Sequence, residues 1–289
     1  MQKPFFSVVI PTLNEEIHLP KLLDDLDHQT LQAFDVWVVD AMSDDTTQTV
    51  VKNFIKTHPN VHLLTTETRH VSVQRNLGAR KSTGPYIIFF DADTRLTPNF
   101  LQDVQLHIMR KPIDVWTNYA APETDEAKDR LFANIFNIIM EAGAGNSYPI
   151  APGACIGCSR EAFTAVDGFD ETVTLSEDLL FVHAAVEKKL RFELLKKPKF
   201  VFCTRRQRKD GYLTLTAKLI PVIIKTVQGK KISEPVDDYP MLGGKYFEQH
   251  KRDPQLKESI KKYYGRFQQA VRKQRKELKQ ELKDVFGEY

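Results

Sequence analysis

The sequence is poor in cysteine and has neither a long apolar run nor a repeat, and each shortage excludes a class of protein. Three cysteines, Cys155, Cys158 and Cys203, in 289 residues are too few for a disulfide framework, so a reducing compartment is expected. No stretch approaches the roughly 20 apolar residues that a bilayer span requires, so no membrane-crossing helix is expected. Met1 to Phe6 lead directly into an apolar strand-like run with no basic or long hydrophobic leader, and a secretory signal is not expected there. With 42% hydrophobic and 27% charged residues the composition is that of a chain that folds in water. The reading is cytoplasmic, with a peripheral contact at the inner face of a membrane left open.

Neither sign of charge dominates: 41 Lys and Arg face 38 Asp and Glu, a net charge of +3. The imbalance lies at the end, where Lys245 to Tyr289 hold 13 basic and 7 acidic residues. Mixed charge on a helix ordinarily means a solvated face, and an anionic membrane surface is the alternative. No nucleic-acid partner is expected.

Hydrophobic spacing organises the first half. Ser7 to Pro11 reads as a strand, Asn14 to Leu26 as loop and helix, Phe34 to Asp40 as a strand and Thr46 to His58 as a helix. Val61 to Thr65 reads as a strand, Val71 to Lys81 as a helix, and Tyr86 to Phe90 as a strand running into Asp91. Such alternation predicts βαβ units and a mainly parallel α/β sheet. Polar residues follow the strands: Thr12, Asn14 and Glu15, then Asp40 and Ser43 to Asp45, then Asp91 and Asp93. Since ligands bind at the carboxyl ends of parallel strands, three segments are expected to converge on one cleft.

The second half alternates less regularly. Arg130 to Ala144 reads as a helix with broad apolar content, assigned to core packing. Gly143 to Gly157 reads as a Gly- and Pro-punctuated connection, Phe200 to Cys203 as a strand, and Leu213 to Gln228 as an amphipathic helix carrying Pro221. One or two terminal helices are expected from Asp253 onward.

Asp91-Ala92-Asp93 places two carboxylates beside the expected cleft, a pattern suited to a hard divalent cation that shares substrate phosphates. A turn or a helix N-cap explains the same residues. Cys155-Ile156-Gly157-Cys158 lacks a second ligand pair at zinc spacing and reads as a buried small-residue strand. His183 reads as a structural histidine that could border the site.

In order and spacing, SVVIPTLNEE (Ser7 to Glu16), VVDAMSDDTT (Val38 to Thr47), RNLGA (Arg75 to Ala79) and FFDADT (Phe89 to Thr94) resemble the family 2 glycosyltransferases of GT-A fold. VDGFDE (Val166 to Glu171) and SEDLLF (Ser176 to Phe181) extend the resemblance over residues 5–210. The implied fold is a GT-A-type, Rossmann-like, mainly parallel sheet flanked by helices. It would comprise a nucleotide-binding half to about residue 95, an acceptor half to residue 210, and a basic helical extension over residues 211–289.

The resemblance implies a role for each matching residue. Pro11, Thr12 and Glu15 would line the nucleoside pocket, Asp40 would meet the base, and Arg75 would approach the ribose or diphosphate. Asp91 and Asp93 would hold Mn²⁺ or Mg²⁺, with Asp93 the principal ligand. Asp178 would be the general base, with Glu177 and Gly153 on the acceptor side. Arg205 and Arg206 stand where related enzymes place arginines near the diphosphate, although the Trp of the QxxRW form is missing and a solvated basic turn is the alternative. Arg69 and His70 lie in a loop that could reach the donor.

The implied activity is inverting, metal-dependent transfer of a sugar from a nucleotide-diphosphate donor, UDP favoured, to an acceptor hydroxyl of a glycan or lipid-linked glycan. A sugar-1-phosphate nucleotidyltransferase would open with a Gly-rich loop, and Pro11-Thr12-Leu13-Asn14 contains no glycine. The remaining alternative is a catalytically silent scaffold held at a membrane by its basic tail, against which the presence of Asp40, Asp91, Asp93 and Asp178 together argues.

Overall fold

The computed structural model describes residues 3–144, 148–211, 231 and 243–245. The expected helices over 213–228 and beyond residue 253, with the basic tail, lie outside the described residues. Strands β1 (Phe6–Thr12), β2 (Phe34–Asp40), β3 (Val61–Thr65), β4 (Tyr86–Phe90), β5 (Val115–Ala121), β6 (Cys155–Ser159) and β7 (Phe192–Val201) form one sheet in the order β3-β2-β1-β4-β6-β5-β7. The first four strands pair in parallel, as do β5 and β7, whereas β6 runs antiparallel to both its neighbours.

The connecting helices are α1 (Leu19–Asp27), α2 (Thr47–Ile55), α3 (Val71–Lys81), α4 (Phe100–Arg110) and α5 (Ala127–Ala144). They are followed by α6 (Arg160–Val166), α7 (Glu177–Glu187) and α8 (Arg205–Asp210). β1 is buried along its whole length, as a strand covered by helices on both faces must be. On one face Leu19, Leu22, Leu23 and Leu26 of α1 pack with Phe6, Val8 and Ile10, while Val9, Val39 and Phe89 join the cluster on the other. Each large apolar side chain so buried contributes about 1.5–3 kcal/mol.

Two features of this order position the site. The sheet reverses direction of growth between β1 and β4, so the crevice between their carboxyl ends is a topological switch point. Because β6 is antiparallel, with Cys155 paired to Phe90, the residues that enter it, Gly153 among them, arrive at the same end of the sheet as Asp91.

Three expectations are revised. Phe200 to Cys203 is not a separate strand: Phe200 and Val201 end the ten-residue β7. The arginine-rich stretch is not a turn but forms α8. The third concerns α5, which buries Asp129, Ala133, Asn137 and Met140 and leaves Leu131, Ile135, Ile138 and Ile139 exposed. The reversal has a local cause: Asn137 lies against β5, accepting from the Ala120 N–H at 2.8 Å and donating to the Ala120 carbonyl at 2.9 Å, so a polar face turns inward.

Candidate active site

The loop after β1 is built onto the loop after β2. Asn14 turns the chain in a left-handed conformation, φ 55°, and its N–H donates to Ser43 Oγ at 2.8 Å while its side-chain oxygen accepts from the Asp44 N–H at 2.8 Å. The Glu15 N–H donates to Thr47 Oγ1, also at 2.8 Å. Pro11 and Thr12 are buried. Asp40 is fully buried and accepts from Thr12 Oγ1 (3.2 Å), the Ser43 N–H (2.9 Å) and Gln48 Nε2 (2.8 Å). It ties both loops together at the floor of the crevice. Arg69 donates to the Met42 carbonyl and the Asp44 carboxylate on the outer wall. His70 instead caps α3, accepting from the Ser72 N–H, and its other nitrogen lies 2.8 Å from the Val173 carbonyl.

Arg75 is the hub of the opposite side. Its guanidinium, 2% exposed, donates to Glu177 Oε1 at 2.7 Å, Asp91 Oδ1 at 3.0 Å and the Gly153 carbonyl at 3.2 Å. Burial opposes its charge, but the carboxylates of Asp91, Glu177 and Asp178 outweigh burial and hold it above the usual arginine range. One side chain thus joins α3, the end of β4, the strand entering β6, and the start of α7. A side chain on Gly153 would meet it: a Cβ there would lie 2.4 Å from Arg75 Nη2.

Asp178 accepts from the Gly153 N–H at 2.8 Å and from the Leu179 N–H at 2.8 Å. Burial, followed by the neighbouring Glu177 charge, pushes its carboxyl up to about 7, with Arg75 pulling the other way. A carboxylate with that affinity for a proton suits a general base near neutrality.

Asp91 and Asp93 follow β4, and a second arginine meets them. Arg205, the first residue of α8, donates from Nη2 to Glu15 Oε1 at 2.7 Å and from Nη1 to Oε2 at 3.1 Å, and Nη2 lies 3.0 Å from Asp93 Oδ2. Burial pushes Glu15 up to about 7, with Asp93 and Asp91 adding to the shift and Arg205 opposing it. Among the described residues no three His, Cys, Asp or Glu side chains form a cation cage. Asp91 and Asp93 nevertheless fit a hard cation that takes the rest of its shell from phosphate and water, and Asp93 already lies beside a positive group in Arg205.

Of the residues expected at the site, Arg75, Asp91, Gly153, Glu177 and Asp178 form one linked set and Glu15, Asp93 and Arg205 a second, with Asp91 and Asp93 two residues apart after β4. Thr12 and Asp40 form the floor, and the Arg206 side chain lies outside what is described. His183 packs edge-on to Tyr148 at 5.6 Å, and its burial favours the neutral ring. Cys155 and Cys158 are buried thiols, pushed up by desolvation. Three supporting acids have no signature in the sequence. Glu123 accepts from the Thr204 N–H and hydroxyl, Asp129 pairs with Arg208 at 2.7 Å, and Asp25 accepts from Arg95 and the Leu96 N–H. The first two seat α8, and the third fixes the loop after Asp93. Beside the loop after β1, the Gly244 N–H donates to the Leu13 carbonyl at 3.1 Å.

The model of glycosyl transferase family 2 matches residues 7–166. Over 186 residues the chain is 25% identical to a Methanococcus voltae protein, dolichyl N-acetyl-alpha-D-glucosaminyl phosphate 3-beta-D-2,3-diacetamido-2,3-dideoxy-beta-D-glucuronosyltransferase, covering 61% of this chain and 56% of that one. The chain therefore spans about half the length of that relative. In fold it is similar to the mannosyltransferase PcManGT from Pyrobaculum calidifontis, solved with GDP-Man and Mn²⁺: TM-score 0.66, 19% identity, 81% of this chain and 67% of that one. It is also similar to S. aureus TarS 1–349 solved with UDP-GlcNAc: TM-score 0.57, 21% identity, 78% of this chain and 67% of that one. These likenesses establish the expected GT-A-type fold.

Proposed function

The chain belongs to glycosyl transferase family 2, and from that premise we propose that it transfers a sugar from a nucleotide-diphosphate donor to an acceptor hydroxyl with inversion. The observation that carries the reading is the convergence at one crevice of Asp91 and Asp93, the Arg75 hub, and a buried Asp178 whose carboxyl is pushed up to about 7. Pro11, Thr12, Glu15 and Asp40 form the nucleoside side. Mn²⁺ or Mg²⁺ held by Asp93 and Asp91 would neutralise the diphosphate as it leaves.

Asp178 takes the proton of the acceptor hydroxyl as that oxygen bonds to the anomeric carbon. The N–H groups of Gly153 and Leu179 hold its oxygens in place, and Arg75, through Glu177 and the Gly153 carbonyl, fixes the segment that carries them. Arg205 and Arg206 serve the diphosphate, and Gly153 and Glu177 border the acceptor.

A UDP-sugar is the favoured donor, in line with the UDP-GlcNAc bound to one structural neighbour, and GDP-Man in the other is the competing choice. For the acceptor we favour a glycan or lipid-linked glycan, because the aliphatic side of α5 is exposed and follows the strand bordering the acceptor half. A peripheral contact at the cytoplasmic face of a membrane belongs to the same reading. The test is hydrolysis and transfer from a panel of nucleotide sugars with Mn²⁺ or with EDTA, the product anomer being read by NMR. Metal-dependent turnover of one donor with inverted configuration supports the proposal, and retention of configuration contradicts it.

A further inference from the structure

Arg205 joins two carboxylates that the reading above gives to different ligands, Glu15 on the nucleoside side and Asp93 at the cation. The two contacts are unequal. Glu15 is buried and receives a fork of two charge-assisted bonds, at 2.7 and 3.1 Å, whereas Asp93 keeps 21% of its side chain exposed and lies 3.0 Å from Arg205 Nη2. α8 is itself seated by Thr204 on Glu123 and by Arg208 on Asp129, so the guanidinium is delivered to this place by a fixed element. Arginine does not lose its proton in a protein. A divalent cation bonded to Asp93 would lie about 2.1 Å from its oxygen, and two positive groups so close repel each other unless an anion comes between them. A diphosphate is such an anion, since its oxygens accept from the guanidinium and ligate the cation together.

We propose that Arg205 is the resident counter-cation of Asp93 and yields that carboxylate to the divalent cation only when a diphosphate arrives to receive the guanidinium. The cation then enters with the donor rather than ahead of it, and Glu15 is the anchor on which Arg205 turns. The idea rests on the donor reading given under the proposed function and adds an order of binding to it. Removing Arg205 should therefore move two affinities in opposite directions, which loss of a merely structural residue would not do.

The test is Mn²⁺ binding to the full chain, followed by the EPR signal of the free ion, alone and with UDP or GDP. Without nucleotide, Arg205→Gln should bind Mn²⁺ about tenfold more tightly than the wild type, the order of effect that one unit charge has on a second cation a few ångströms away. With nucleotide, the same variant should bind UDP or GDP more weakly. Arg205→Lys keeps a cation for the buried Glu15 and protects the fold, but lacks the fork that spans both carboxylates. It should show the same tightening of Mn²⁺ binding in smaller degree. If the wild type binds a nucleoside diphosphate with Mn²⁺ while both variants, folded by circular dichroism, keep wild-type affinity for Mn²⁺ alone, this inference fails by itself. If the wild type binds neither UDP nor GDP, the donor reading fails and takes the inference with it.

Discussion

Substituting Gly153 by alanine tests the Arg75 hub with a single methyl group. The new Cβ would lie 2.4 Å from Arg75 Nη2, 3.3 Å from Cζ and 3.5 Å from Nη1. An end of a flexible side chain would ordinarily move aside, but this guanidinium is 2% exposed and held by Glu177, Asp91 and the Gly153 carbonyl. Restoring van der Waals separation requires Nη2 to retreat by about 1 Å, which breaks its bonds to Asp91 and Gly153. Hydrogen bonds to charged groups are worth about 1.5–3 kcal/mol each, and partial relaxation leaves an expected loss of about 2–4 kcal/mol. The Gly153 N–H also orients Asp178, so the turnover number should fall about 100-fold, the cost of a 1 Å misplacement of a reacting group. Urea unfolding and initial-rate kinetics on the same preparation measure both effects. A variant with wild-type midpoint and turnover would refute the claim that Arg75 is immobilised at Gly153.

Further expectations concern the base and the core. Asp178→Asn should lower turnover by about 10²–10⁴-fold while leaving nucleotide binding intact, as calorimetry and kinetics together would show. With Asp178 as the proposed base, which would act only when ionised, the wild-type rate should rise with pH through about 7; a flat profile from pH 5 to 9 would count against it. Between pH 3.8, its ordinary value, and about 7 the folded chain holds a proton that the unfolded chain releases, so ionising Asp178 costs stability as the pH rises through that window. Asp178→Asn, though inactive, should accordingly be no less stable than the wild type at pH 8 in thermal melts. Gly157→Ala places a Cβ 2.0 Å from the ring of the fully buried Trp116 and should cost at least about 1–3 kcal/mol by overpacking. Its denaturant midpoint should drop without a change in the pH profile of the folded fraction.

The first four strands and the first three helices were legible because each strand is a short β-branched or aromatic run, and Asp40 and Asp91 stand at the ends of two of them. Asp40 and Asp91 could be placed on that basis alone. The second half was harder for reasons that are physical. β6 is a five-residue strand of small residues running against its neighbours, and nothing in Cys155-Ile156-Gly157-Cys158 states its direction. In α5 the polar residues Asp129 and Asn137 face inward because they meet Arg208 and the backbone of β5, which inverts the rule that apolar spacing marks the buried side. Arg205 was recognisable by position, but its sharing between Glu15 and Asp93 spans 190 residues of sequence and is visible only in three dimensions.

The most direct test of the account is calorimetric titration of UDP and GDP into the full chain, with and without Mn²⁺, for the wild type and for Asp93→Ala. The account predicts that one of the two nucleotides binds with Mn²⁺, that EDTA abolishes the heat, and that Asp93→Ala loses the metal-dependent part while remaining folded. Binding of neither nucleotide, or binding equally tight without metal and in Asp93→Ala, would contradict the assignment of this crevice to a nucleotide-diphosphate donor.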